Sequence, residues 1–188
     1  MELKPIPKKS VTICGVEIDY FISPGWKSLG RNAKATSSNR LKLEQHLKFI
    51  LKNRLGCYFS LSHTRHLGGF AVAQQPVGFD LEPTTRRVSK KAVLRFASPY
   101  ELAHFNNNAL AVWVAKEAAF KALRTTAQPK VVSAIQIEGI RHLKKHHNSR
   151  QIFLFQFNVN DSHLLPKRGY GRCEFDKRTI MGFAVISP

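Results

Sequence analysis

The chain has 188 residues, with 30 Lys and Arg against 12 Asp and Glu, a formal net charge of +18. No apolar run approaches the ~18 residues that span a bilayer, and 43% hydrophobic residues suffice for one domain or two small ones. The three cysteines, Cys14, Cys57 and Cys173, have no C-x-x-C spacing, which points to reduced thiols in a cytoplasmic protein and away from a disulfide framework.

Lys4, Lys8 and Lys9 precede an apolar segment that Glu17 and Asp19 interrupt, which argues against a signal peptide. Residues 11–22 are β-branched and aromatic and predict one strand, ended by Pro24 and Gly25. Residues 27–40 read as a basic loop or short helix. Ser37 or Ser38 then caps a helix running to about Arg54, with Leu43, Leu47, Ile50 and Leu51 as its apolar stripe and Gly56 as its stop. Tyr58–Leu61 predicts a strand that delivers Ser62 and His63, and Phe70–Ala73 predicts another. Gln74-Gln75-Pro76 turns the chain into Val77-Gly78-Phe79-Asp80-Leu81-Glu82-Pro83. An antiparallel meander then sets Ser62 and His63 beside Asp80 and Glu82.

In that last strand Asp80 and Glu82 point to one face, and Val77, Phe79 and Leu81 to the other. Two carboxylates on one face repel unless a cation sits between them. Hard oxygen ligands suit Mg²⁺, which takes one or two carboxylates and leaves its other positions to water and phosphates. The plain alternative is a half-buried strand with two solvated acids.

Ser98-Pro99-Tyr100-Glu101 predicts a helix start with a capping box. The Asn106-Asn107-Asn108 cluster separates that helix from one over about Ala109–Arg124, where Trp113, Phe120 and Leu123 mark an apolar stripe. Glu117 and Lys121 form an i,i+4 pair on it, at minimum a surface ion pair. Glu117 lies near the buried edge, where it can be a third carboxylate for the Asp80/Glu82 cation. Strands follow at about Val131–Ile137, Ile152–Val159 and Thr179–Ile186, and Arg141–His147 reads as a solvated basic loop without metal-ligand spacing.

Three stretches together carry a resemblance: Ser60-Leu61-Ser62-His63-Thr64, Gly78-Phe79-Asp80-Leu81-Glu82, and Trp113-x-x-Lys116-Glu117-Ala118-x-x-Lys121. In this order and at these spacings they resemble the 4′-phosphopantetheinyl transferases, most of all the longer, surfactin-synthetase-activating type. The motifs span residues 60 to 121, with weaker similarity back to about residue 31.

The resemblance implies an α+β fold of two pseudo-twofold-related lobes, each a small antiparallel sheet packed with helices. The lobes divide into residues 1–76 and residues 77–188, the second carrying the metal site. It implies transfer of 4′-phosphopantetheine from coenzyme A to a serine of an acidic acyl or peptidyl carrier protein. Asp80, Glu82 and Glu117 are the implied Mg²⁺ ligands, and Lys121 the cation on the leaving phosphate. Lys116, Ser62 and His63 are implied contacts to coenzyme A, and Arg31, Lys34 and Arg40 stand where the family takes the 3′-phosphate. Ser62 also reads as a turn former. The base is Glu117, a metal-bound water or Glu101, and Glu101 has its capping box as a structural reading. A monomer is expected.

Charge alone supports a rival. Residues 20–79 hold nine Lys or Arg and one acid, Glu44, and residues 83–100 hold Arg86, Arg87, Lys90, Lys91 and Arg95 with no acid. Such a field attracts any polyanion, nucleic acid included. A nucleic-acid binder leaves the three motif acids unexplained, whereas a Mg²⁺-dependent nuclease would use them. On the transferase reading, residues 83–100 receive the acidic carrier.

Overall fold

The computed structural model describes residues 7–24, 49, 56–64, 67–125, 128–144, 151–159 and 167–187. Of the helix expected between Ser37 and Arg54 only residue 49 is described, and it is helical, whereas Arg31, Lys34 and Arg40 lie outside the described residues. The fold is α+β, with two antiparallel sheets and a few helices, as the motifs led us to expect.

The first sheet contains β1 (Lys8–Ile13), β2 (Val16–Pro24), β3 (Tyr58–His63) and β4 (Leu67–Ala73), in the order β1-β2-β4-β3. The single strand expected over residues 11–22 is a hairpin. Cys14 and Gly15 have φ of 46° and 81°, and Ile13 faces Val16 across the turn. Two consecutive positive φ values make the tight turn whose twist suits paired strands. Cysteine in place of the usual Asn or Asp concealed it.

The second sheet contains β5 (Val77–Pro83), β6 (Ile135–Lys144), β7 (Gln151–Val159), β8 (Arg168–Phe175) and β9 (Thr179–Ile186), in the order β5-β9-β8-β7-β6. Residues 141–144 belong to β6, so the expected basic loop begins later than its charge suggested. Strand β8 was not anticipated, because Gly169 and Gly171 weaken its pattern. A Cβ at either glycine would collide with the ring of Phe157 or Phe155, so the glycines are where two β7 aromatics lie over β8.

Three helices complete the described fold: α1 (Lys90–Phe96), α2 (Pro99–His104) and α3 (Ala109–Ala122). Helix α1 begins at Ser89, whose side chain accepts the Ala92 N–H, and it occupies a basic stretch that charge alone did not mark as helical. Helix α2 has the expected capping box between Ser98 and Glu101.

Strand β5 lies between two cores. Val77, Phe79 and Leu81 pack with Ile18, Tyr20 and Ala71 of the first sheet and with Phe183 of β9. The opposite face meets α3, whose buried alanines join Phe153, Phe155 and Phe157 in the larger core. The approach of α3 to β5 is set by Gly78. A Cβ there would stand 1.7 Å from the Ala118 carbonyl oxygen and 2.5 Å from the Ala122 nitrogen, both backbone atoms. Only a hydrogen fits, and the helix residues that follow from this contact are Glu117 and Lys121.

Gly78→Ala therefore has to push α3 away from β5. We expect a loss of about 1–3 kcal/mol, the usual cost of overpacking, read as a lower urea midpoint.

Candidate active site

An open cleft of about 310 Å³ lies where β3, β5 and α3 meet. Ser62 and His63 reach it from the end of β3, Asp80 and Glu82 from β5, and Trp113, Glu117 and Lys121 from α3. The strand period sends Asp80 and Glu82 to the α3 side, and the i,i+4 helical spacing turns Glu117 and Lys121 toward them. The neighbourhood expected between the Ser-His stretch and the D-x-E strand is present, but not as a meander. Strand β3 pairs with β4 in the first sheet, and β5 begins the second. Side chains join the two strands: Ser60 Oγ accepts the Phe79 N–H at 2.9 Å, and Ser62 Oγ accepts the Leu81 N–H at 3.3 Å. Two hydroxyls, two residues apart, thus satisfy edge donors of β5 that have no strand partner there among the described residues.

Asp80 is 5% exposed. Its Oδ1 accepts from Ser62 Oγ at 2.7 Å and from Lys121 Nζ at 2.7 Å. Its Oδ2 is buried and has no hydrogen-bond partner among the described residues. Lys121 Nζ also donates to the Phe79 carbonyl at 3.1 Å, so its ammonium is held at the cleft and not spread into solvent. The sequence pairs Lys121 with Glu117, whereas in the fold its partner is Asp80.

Glu82 is held by Arg86, four residues on. The Arg86 guanidinium lies 5.7 Å from the centroid of the Trp113 ring, which in turn packs edge-on against Phe96. Arg86 belongs to the cleft, although the charge pattern groups it with the docking surface. Its contact with Trp113 across 27 positions had no local signal.

Glu117 is half-buried. Burial raises its pKa, the Asp80 charge raises it further, and Lys121 and Arg86 only partly oppose the rise. The three carboxylates therefore share one cleft but are not gathered into a cage. Among the described residues no group of three His, Cys, Asp or Glu side chains is close enough to hold a metal ion, and Asp80 and Glu82 are each paired with a cation of the protein, Lys121 and Arg86. The donor set still fits a hard divalent cation. Asp80 Oδ2 is a buried oxygen lacking a partner among the described residues, and the Glu117 carboxylate is disfavoured by burial and by the neighbouring negative charge, both of which a cation would relieve.

Lys116 turns away from the cleft. It is 3% exposed and its Nζ lies 2.8 Å from Glu101 Oε1. Burial lowers its pKa against the opposing pull of Glu101. Glu101 also accepts the Ser98 N–H at 2.7 Å and the Ile137 N–H at 2.9 Å. The pair locks α2, α3 and β6 together, so Lys116 has no access to a cofactor in this cleft. The 100° between adjacent helical residues separates it from Glu117. His63 is exposed at the mouth.

Residues 76–168 match the family model of the 4′-phosphopantetheinyl transferase superfamily. The matched stretch runs from the turn before β5 into β8 and contains Asp80, Glu82, Glu117 and Lys121. The match supports that superfamily, and with it phosphopantetheinyl transfer in general. No curated protein matches the chain.

The raised pKa of Glu117 has a testable sign. A carboxyl whose folded pKa is raised contributes stability below its unfolded value, about 4.3, and loses that contribution as pH rises through the folded value. Glu117→Gln removes the penalty of the charged form. Melting in EDTA should show the variant more stable than the wild type at neutral pH, with the gain vanishing at acid pH.

Proposed function

We propose that the protein transfers 4′-phosphopantetheine from coenzyme A to a serine of an acidic acyl or peptidyl carrier protein, converting apo to holo carrier in a Mg²⁺-dependent reaction. The observation that carries this reading is the convergence of Asp80, Glu82, Glu117 and Lys121 on one cleft from elements about 40 positions apart in sequence. The family match over residues 76–168 supports the reaction class. The surfactin-synthetase-activating type, a cytoplasmic monomer, and lobes of residues 1–76 and 77–188 belong to the same proposal. The break between the two sheets at Gln74–Pro76 fits that division.

Asp80 and Glu117 would hold Mg²⁺, with Glu82 beside them. When bound there, the metal would supply charge neutralisation on the coenzyme A pyrophosphate. Glu117 stands where it would take the proton of the carrier serine as that oxygen bonds to phosphorus. Lys121 stands ready for the charge that develops on the departing 3′,5′-ADP. His63 at the mouth is a phosphate contact. Arg31, Lys34 and Arg40 are the proposed 3′-phosphate contacts, on the family resemblance.

Helix α1 presents Lys90, Lys91 and Arg95 to solvent around Leu94, which is 85% exposed. Cations around one exposed apolar residue suit an acidic amphipathic helix of the carrier. Arg87→Glu with Lys91→Glu should raise KM for the carrier and leave that for coenzyme A nearly unchanged. Added salt should reproduce the effect, since exposed charges are screened beyond ~8–10 Å. Equal salt sensitivity for both substrates removes α1 from the docking surface.

Intact mass tests the reaction itself. An apo carrier incubated with the protein, coenzyme A and Mg²⁺ should gain one phosphopantetheine, and a chelator should abolish the gain. Nucleic acid cleaved under the same conditions, with no carrier modified, establishes the nuclease alternative instead.

A further inference from the structure

The Asp80 carboxylate is divided. One oxygen takes two donors at 2.7 Å each, and the other, though buried, takes none among the described residues. Lys121, anchored by the Phe79 carbonyl, contributes to this division, but from the end of a flexible chain it does not impose it. The Ser62 hydroxyl does. It has one proton, and it accepts the Leu81 N–H at 3.3 Å while standing 2.7 Å from Asp80 Oδ1. The Leu81 N–H engages one of its lone pairs, and the carboxylate can only accept, so the proton goes to Asp80. The hydroxyl is buried, and both of its partners sit on β5. Ser60, two residues earlier on β3, provides an internal comparison. It accepts the Phe79 N–H at 2.9 Å and lies 3.5 Å from the Phe79 carbonyl, with no carboxylate contact. The two serines therefore share one task, closing the β5 edge, and differ in a second.

We infer that Ser62 is a positioning residue: its hydroxyl bridges the Leu81 N–H to Asp80 Oδ1 and thereby reserves Oδ2 for a divalent cation. The motif implies a cofactor contact for Ser62, and this assignment gives its hydroxyl a separate task. It rests on the reading of Asp80 as a cation ligand. An unpartnered buried charged oxygen costs more than a lost hydrogen bond, and a cation removes that cost. Hydrogen bonds that orient a ligating carboxylate contribute strongly to metal affinity.

The test compares Ser62→Ala, Ser60→Ala and Ser62→Thr by two readouts: melting in EDTA, and Mg²⁺ affinity by calorimetry with coenzyme A present. Both alanine variants should lose stability, since each strips one β5 N–H of its acceptor. Only Ser62→Ala should weaken Mg²⁺ binding, by about 10–100-fold, and Ser62→Thr should recover it. Should Ser62→Ala fail to fold, Ser62→Cys, close in size, is read in the same way. Equal Mg²⁺ affinity in the two alanine variants overturns the inference and leaves the cation reading of Asp80 standing. Failure of Ser62→Thr to recover assigns the loss to packing and also overturns it. A wild type that binds no Mg²⁺ removes the cation reading, and the inference falls with it.

Discussion

Asp80 is a charged side chain that the fold leaves incompletely satisfied. It sits on a strand buried between two cores, where isolated charges are costly, and the chain answers with one hydroxyl and one ammonium on the same oxygen. The rest of the structure serves that arrangement. Gly78 admits α3 to van der Waals contact with β5, so that Lys121 reaches Asp80 and Glu117 stands within its field. The side chains Ser60 and Ser62 attach the first sheet to the edge of the second at the same point. Glu82 is balanced separately, by Arg86 against Trp113. A cation entering the cleft has to compete with two of the protein's own cations, and what favours it is the unpartnered oxygen together with the disfavoured Glu117.

The excess of basic residues is compatible with several polyanionic partners, and the placement of the acids discriminates among them. With 12 acidic residues in 188, Asp80, Glu82 and Glu117 occupy one cleft. A phosphate-binding surface gains nothing from acids there unless a cation accompanies the phosphate. Among the described residues no helix is long and apolar enough to cross a membrane.

Side-chain periodicity was legible in the sequence wherever local rules decide the outcome. The D-x-E strand, the Ser98 capping box and the helix bearing Glu117 and Lys121 stand where spacing and capping residues put them. Structure set by distant contacts was not legible. Strand β8 owes its glycines to Phe155 and Phe157 on a neighbouring strand, and the Cys14-Gly15 turn owes its positive φ values to strand pairing. At the site, adjacency in sequence misled twice. Lys116 neighbours Glu117 but is buried against Glu101, and Lys121 matches Glu117 in spacing but bonds to Asp80. Arg86 looked like one cation of five in a basic run, and only the fold separates it from the others by setting it between Glu82 and Trp113.

The central claim is that Asp80 Oδ2 and Glu117 form the divalent-cation position of this cleft. A crystal grown with coenzyme A and Mn²⁺, measured at the manganese absorption edge, tests it most directly. The account predicts one strong anomalous peak within coordination distance of Asp80 Oδ2 and the Glu117 carboxylate, with Ser62 still bonded to Oδ1. A peak elsewhere on the protein, with Asp80 bound as before to Ser62 and Lys121 alone, would contradict it.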